Sequence, residues 1–419
     1  MQAARRTGSL CVTRAHHAPY CEKNDCMTPM RLLNLSLSTP MADQPADQGP
    51  NDPQLHQIAY SRFFEKMIYV IKTPDYPKYK PFDLTEKIRI IPSCSANRWA
   101  FMRDAMRLGA QAVREQGANI IAAQEPFGTG VAGLLLSRRF NLPLCVHNVN
   151  DAIDNKRWLA EEPVNRLMNP VGKYVLRRAG AVRVDSVSET EKMVRLGLPR
   201  KRVWNIQFIV NDAAAFMDCD GSDMRKNLLV EPFNQYILFV GRFEPQKDFE
   251  TLFGVVKHVA AQRPHVRFVV VGSGKRDAEY RAMAQAAGVH QNILFAGWVD
   301  YFQLPQYYAG ADAFLLTSVH ETNPRVVIFS RLARKAAVAT DVSGVRDFIQ
   351  DGVSGFVRPL KDVPGLAQAL ISILDDPEKA AEMGCAGFEN ARHILDESQI
   401  LNQMESMYRS IFDERFGKA

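Results

Sequence analysis

The chain has 419 residues, 46% of them hydrophobic and 23% charged, a balance that excludes a disordered chain and, at about 150 residues per domain, predicts two or three domains. No run of about 18 apolar residues occurs, the nearest being Val131 to Leu136, so a membrane-spanning helix is excluded. The formal charge of +6 divides unevenly: residues 1–210 hold 30 basic and 19 acidic side chains (+11), which leaves 52−30 = 22 and 46−19 = 27 (−5) for the remainder.

Residues 1–29 show neither helical nor strand periodicity and lack the apolar centre of a secretory signal. Met30 precedes Arg-Leu-Leu-Asn-Leu-Ser-Leu, a plausible first buried strand, so it is the expected functional start and the preceding stretch an extension. Apolar runs at 88–93, 119–123, 143–147, 181–185 and 203–208 read as buried parallel strands. Helical stretches Arg98–Glu115, Gly130–Arg139 and Val164–Arg178 lie between them. Strand–helix alternation at this spacing gives a parallel sheet covered on both faces.

The pattern lapses through Val210–Glu231, which reads as a linker extending to residue 235. It restarts with strands 236–241, 267–271, 292–296, 312–316, 337–340 and 355–357, and helices 248–262, 276–287 and 325–334. Residues 377–415 read as helical throughout, with an apolar stripe of Ile400, Met404, Met407, Tyr408 and Ile411. The expected fold is therefore α/β, with two doubly wound parallel-sheet (Rossmann-like) domains over 30–209 and 236–395. A C-terminal helix, 396–419, is free to pack back on the first domain.

The seven cysteines are odd in number and scattered past Cys26, a reducing-compartment pattern and not a disulfide framework, which predicts a cytoplasmic protein. Cys11, Cys21 and Cys26 with His16 and His17 match no zinc spacing. Asp218-Cys219-Asp220 has the form of a metal-binding Asp-x-Asp, yet it falls in the linker, away from any strand end. No basic stripe interleaved with aromatics appears, so nucleic acid is not an expected partner.

Four loops of the second half follow strands, where open parallel sheets place ligands. In Gly241-Arg242-Phe243-Glu244-Pro245-Gln246-Lys247-Asp248, Arg242 and Lys247 flank a tight turn and together can neutralise a diphosphate. Gly272-Ser273-Gly274 permits close backbone approach to a ligand but is not a Walker loop, since Arg276 stands where Ser or Thr would hold magnesium. Gly297-Trp298-Val299 can lay a flat base against backbone and an aromatic ring. In the fourth loop, Ser318 to Arg325, Glu321 can hold sugar hydroxyls ahead of a helix that begins near Pro324.

In this order and spacing the loops resemble retaining glycosyltransferases of the GT-B fold, specifically family 4, over about residues 236–395. The first half is similar more loosely, through Glu125-Pro126-Phe127, Asp151, Asp154-Asn155 and Tyr174 to Ala179. The resemblance implies a metal-independent transferase with no cofactor, whose co-substrate is a nucleotide-diphosphate sugar. It places Arg242 and Lys247 on the diphosphate, Glu321 on the donor sugar, and Asn323, Pro324, Arg325 and Val326 beside sugar and phosphate. Glu321, Arg242, Lys247 and Asp151 form the expected catalytic set.

Three departures stand out. The second glutamate of the family's Glu–seven residues–Glu signature falls at Phe329, where it would hold the ribose; its loss costs about 1.5–3 kcal/mol, and restoring Glu is expected to tighten donor binding. A small residue and a glycine are replaced by Ala333 and Arg334, and a histidine often near the donor sugar aligns with Val149. A catalytically degenerate scaffold that binds without turnover is the alternative, and a nucleotide-sugar epimerase a weaker one. The basic first half fits an anionic saccharide or lipid-linked acceptor. Residues Arg166–Arg178 read either as a peripheral membrane helix at the inner membrane face or as a helix covering its own sheet.

Overall fold

The computed structural model describes residues 28–45, 50–74, 76, 78–211 and 213–417; the expected extension before Met30 lies almost wholly outside them. Two sheets organise the chain. The first contains β1 (Arg31–Ser36), β2 (Lys66–Ile71), β3 (Phe82–Thr85), β4 (Ile88–Pro92), β5 (Ile120–Ala123), β6 (Leu144–His147), β7 (Ala181–Val184) and β8 (Val203–Asn205). Their order is β3-β4-β2-β1-β5-β6-β7-β8, parallel except for the β3–β4 pair. The second contains β9 (Gln235–Val240), β10 (Val266–Val271), β11 (Ile293–Gly297), β12 (Ala313–Leu316), β13 (Ala337–Thr340) and β14 (Gly355–Arg358), in the order β11-β10-β9-β12-β13-β14 and all parallel.

Each sheet starts at its centre and winds both ways, so direction reverses between β1 and β5 and between β9 and β12. Central strands such as β5, β6, β7 and β12 are buried at every position, because helices cover both faces. The strands β2 and β3 and the helix Asp52–Tyr60 were not expected from the sequence. The edge strand β3 is exposed or half-buried and so shows no hydrophobic run.

Residues 210–235 contribute more than a tether. They carry the helices Ala213–Met217 and Ser222–Leu228, and Val210, Phe216 and Leu228 are buried in the second core. Asp220 accepts hydrogen bonds from the Ser222 amide and hydroxyl, so the Asp-x-Asp form belongs to a turn that opens a helix.

The last two helices, Pro377–Ile394 and Glu397–Phe416, are separated at Leu395–Asp396, where Asp396 accepts from the Gln399 amide and starts a new helix. The second returns to the first sheet: Ile400, Met404, Met407, Tyr408 and Ile411 are buried in that domain's core. The helix Pro163–Arg178 buries Asn169, Gly172, Val175 and Leu176 against its own domain and leaves Leu167 and Tyr174 exposed. Among the described residues no helix is long and apolar enough to cross a membrane.

Candidate active site

The loops after β9 and β12 leave the second sheet side by side at its reversal point. They are tied together by backbone and side chain. The Val319 amide donates to the Gln246 carbonyl (2.9 Å), Gln246 Nε2 to the His320 carbonyl (2.8 Å), and Thr317 Oγ1 to the Lys247 carbonyl (2.7 Å). This sets Lys247 Nζ 2.7 Å from Glu321 Oε1, with the two side chains only 11% and 13% exposed. A pair so desolvated is held in one geometry, unlike a surface ion pair. Asp248 adopts φ 50° and caps the helix Phe249–Gln262, accepting from Thr251 Oγ1 and from Lys361 Nζ.

A cavity of about 540 Å³ opens over this pair. Gly241, Arg242, Lys247, Gly272, Ser273, Trp298, Val299, Glu321 and Val326 line it. Gln246 and Leu304, which the sequence reading did not single out, line it too. Arg242 is exposed, and among the described residues no ion pair engages it. The glycines are required by close approach. A Cβ on Gly241 would meet Lys247 Cε at 2.9 Å, and one on Gly272, where φ is 138°, would fall 1.9 Å from the Gly241 carbonyl oxygen. Gly297 sits just behind, its carbonyl accepting from the Gly272 amide.

Other expected site residues lie elsewhere. Phe329 is buried, stacked on Phe216 at 4.4 Å and edge-on to Tyr301 and Tyr308, so it faces an aromatic core and not a ribose. Pro324 caps the helix Arg325–Leu332. Arg325 turns toward the first domain, 3.2 Å from Asp52 and 4.7 Å over the Phe208 ring. Asn323 Nδ2 likewise crosses over, to the Asp185 carbonyl and Gln207 Oε1. Arg334 holds φ 54°, the left-handed conformation that suits glycine, while its guanidinium lies 3.9 Å over the Phe388 ring and donates to the Met217 carbonyl.

Asp151 belongs to a different cluster. Its carboxylate takes Lys192 Nζ at 2.5 Å and Asn155 Nδ2 at 2.7 Å, and Glu189 lies 3.0 Å from the same lysine. Val149 contributes its carbonyl, which accepts from Thr322 Oγ1 (3.0 Å), so the two domains meet beside Glu321. His147, two residues away, cannot serve in its place. It is buried with Nε2 3.1 Å from the Tyr408 hydroxyl, and burial pushes its pKa down to about 3. Among the described residues, buried polar atoms without hydrogen-bond partners include Asn148 Oδ1 and Asp185 Oδ1 of the first domain and Ser318 Oγ, His320 Nδ1 and Asn323 Oδ1 of the second.

Two family models match the chain: "Glycosyl transferase 4-like domain" over residues 73–206 and "Glycosyl transferases group 1" over residues 222–390. The two matches support a GT-B glycosyltransferase of the GT4 type. This glycosyltransferase is 27% identical to the alpha-D-kanosaminyltransferase of Streptomyces kanamyceticus over 71% of the chain and 78% of that protein. It is 24% identical to the D-inositol 3-phosphate glycosyltransferase of Kribbella flavida over 86% and 91%. Its fold matches sucrose-phosphate synthase from Thermosynechococcus elongatus at a TM-score of 0.76 and 21% identity, over 92% of the chain and 100% of that structure. Anabaena HepE in complex with UDP matches at 0.71 and 18% identity, over 91% and 100%. The architecture is therefore GT-B: two parallel-sheet α/β domains with a helical C-terminal segment.

Proposed function

We propose that this glycosyltransferase is a retaining, metal-independent enzyme that moves a sugar from a nucleotide diphosphate to an acceptor hydroxyl. The observation that carries the reading is the Lys247–Glu321 pair beside Arg242 in a cavity at the sheet's reversal point. Arg242 and Lys247 supply the positive charge that a leaving diphosphate needs, where preorganised groups act most strongly. Glu321 accepts from sugar hydroxyls, and the unpartnered polar atoms of Ser318, His320 and Asn323 suit the same hydroxyl-rich group.

In the reaction the bond from the anomeric carbon to the phosphate oxygen breaks as the acceptor oxygen bonds that carbon from the same face. The acceptor proton passes to the departing phosphate. HepE, which shares this fold, is solved with UDP and with UDP-glucose, so UDP-sugars head the donor classes. The first domain takes the acceptor, and its basic composition favours an anionic saccharide or a lipid-linked one at the inner face of a membrane.

Calorimetry with UDP-, GDP- and ADP-sugars, followed by hydrolysis assays with and without EDTA, tests the reading. At least one donor is expected to bind and to hydrolyse slowly, with EDTA making no difference. Failure of every donor to bind sinks it. Binding without any turnover favours a catalytically degenerate scaffold, which Val149 at the family's histidine position motivates.

A further inference from the structure

A second cavity, of about 420 Å³, lies in the first domain. Its walls are mainly apolar, with Leu37, Trp99, Met102, Phe127, Trp158 and Met168 among them. Phe127 and Trp158 stack at 5.0 Å and 15°. They are braced from behind, because a Cβ on Gly172 would sit 2.7 Å from the Phe127 ring. Trp99 at the rim is 74% exposed.

Two of the polar side chains that line the cavity, Glu125 and Asn165, are already engaged. Glu125 caps the helix Gly128–Phe140, its carboxylate accepting from the Phe127 and Thr129 amides at 2.6 Å each and from Thr129 Oγ1 at 2.9 Å. That helix start is thus already occupied by the Glu125 carboxyl. Asn165 donates to the Trp158 carbonyl. The exposed Arg98 is the charged group at the edge.

The loop that carries Asn150 and Trp158 into this cavity also reaches the donor side. Its Val149 carbonyl takes Thr322 Oγ1, and its Arg157 donates to the Val319 carbonyl at 3.0 Å. One segment, residues 149–158, therefore both lines the cavity and touches the loop that bears Glu321. This link to the donor loop, not the cavity's apolarity alone, identifies the occupant. Resting on the glycosyltransferase reading above, we infer that the cavity seats an apolar aglycone, alkyl or aryl, of the acceptor, while the acceptor hydroxyl points toward Glu321.

The test measures calorimetric Kd for methyl, hexyl and octyl β-D-glucopyranoside, below micelle-forming concentrations, with and without saturating UDP. Each buried methylene is worth about fourfold in affinity, so octyl should bind at least about tenfold more tightly than methyl. Trp99→Ala and Met168→Glu should flatten that series, and UDP should not displace the glycoside. Equal affinity across the series in the native chain overturns the inference, as does an unaltered series in both variants or displacement by UDP. A graded series in a protein that binds no nucleotide sugar defeats the glycosyltransferase reading and, with it, the assignment of the cavity to an acceptor.

Discussion

At the scale of single residues, the site turns on a lysine and a glutamate brought from loops 74 positions apart in sequence to a distance of 2.7 Å. Removing one partner leaves the other charged and poorly solvated, which costs more than the net value of the pair. Lys247→Ala is therefore expected to lower kcat/KM by about 30- to 1,000-fold, about 2–4 kcal/mol. A double-mutant cycle with Glu321→Gln should show strong non-additivity, and additive losses would mean that the two side chains act separately. Phe329 teaches the opposite lesson. Its position in the family signature suggests that glutamate would restore a ribose contact. Phe329 is stacked on Phe216 and edge-on to Tyr301 and Tyr308, however, so the site offers a carboxylate little water, and the Arg325 guanidinium 5.7 Å over the ring is already paired with Asp52. Phe329→Glu should destabilise the fold by at least about 3 kcal/mol in urea denaturation and fail to tighten donor binding.

At the scale of elements, strands β6 and β7 end in groups whose burial opposes their ionisation. Asp185, just past β7, is pushed up from 3.8 to about 7, chiefly by burial, with Arg183 pulling down and Asp347 adding to the rise. Between those values the native carboxyl holds a proton that the unfolded one has lost. Its contribution to stability therefore falls as pH rises from about 4 to about 7. His147, at the end of β6, is pushed down from 6.5 to about 3 by burial and by Arg183. There the unfolded state binds the extra proton, so stability is lost as pH falls through that range. The two slopes oppose one another. Asp185→Asn removes the first, so urea midpoints between pH 4 and pH 7 should rise with pH more steeply than in the native chain. Parallel profiles would show that Asp185 is ionised in both states.

At the scale of the whole molecule, the two domains are joined across the cleft by few but specific contacts. The Val187 amide, in the first turn of the helix Val187–Arg195, donates to Asp347 at 2.9 Å, which places an anion from one domain at a helix start of the other. The Ser188–Ser343 hydroxyl pair, Thr322 to Val149, Asn323 to Asp185 and Gln207, Arg157 to Val319 and Arg325 to Asp52 also cross the cleft. Closure of this kind excludes water from the donor sugar. Asp347→Ala should weaken it by about 1–2 kcal/mol, lowering kcat/KM by about 5- to 30-fold. Donor Kd should hardly change, because the cavity over Lys247 and Glu321, where the donor is proposed to bind, is lined by the second domain alone. An equal loss in donor affinity would show that Asp347 acts on the second domain's own structure.

Taken by itself, the sequence determined that there are two parallel sheets, since strand burial on both faces leaves continuous apolar runs, though it missed β2 and β3. It also picked out the loops that line one cavity, since tight glycines and paired cations fall at strand ends. Nine of the residues so chosen, from Gly241 to Val326, line one cavity. Only the tertiary structure decided the partners. It turned Asn323 and Arg325 toward the first domain, put Phe329 in a core, engaged Asp151 with Lys192, and returned the last helix to β6, where Met407 meets Cys145. Periodicity reports which face of an element is buried, but not which neighbour buries it. That choice is made by the packing of segments that can lie 262 residues apart.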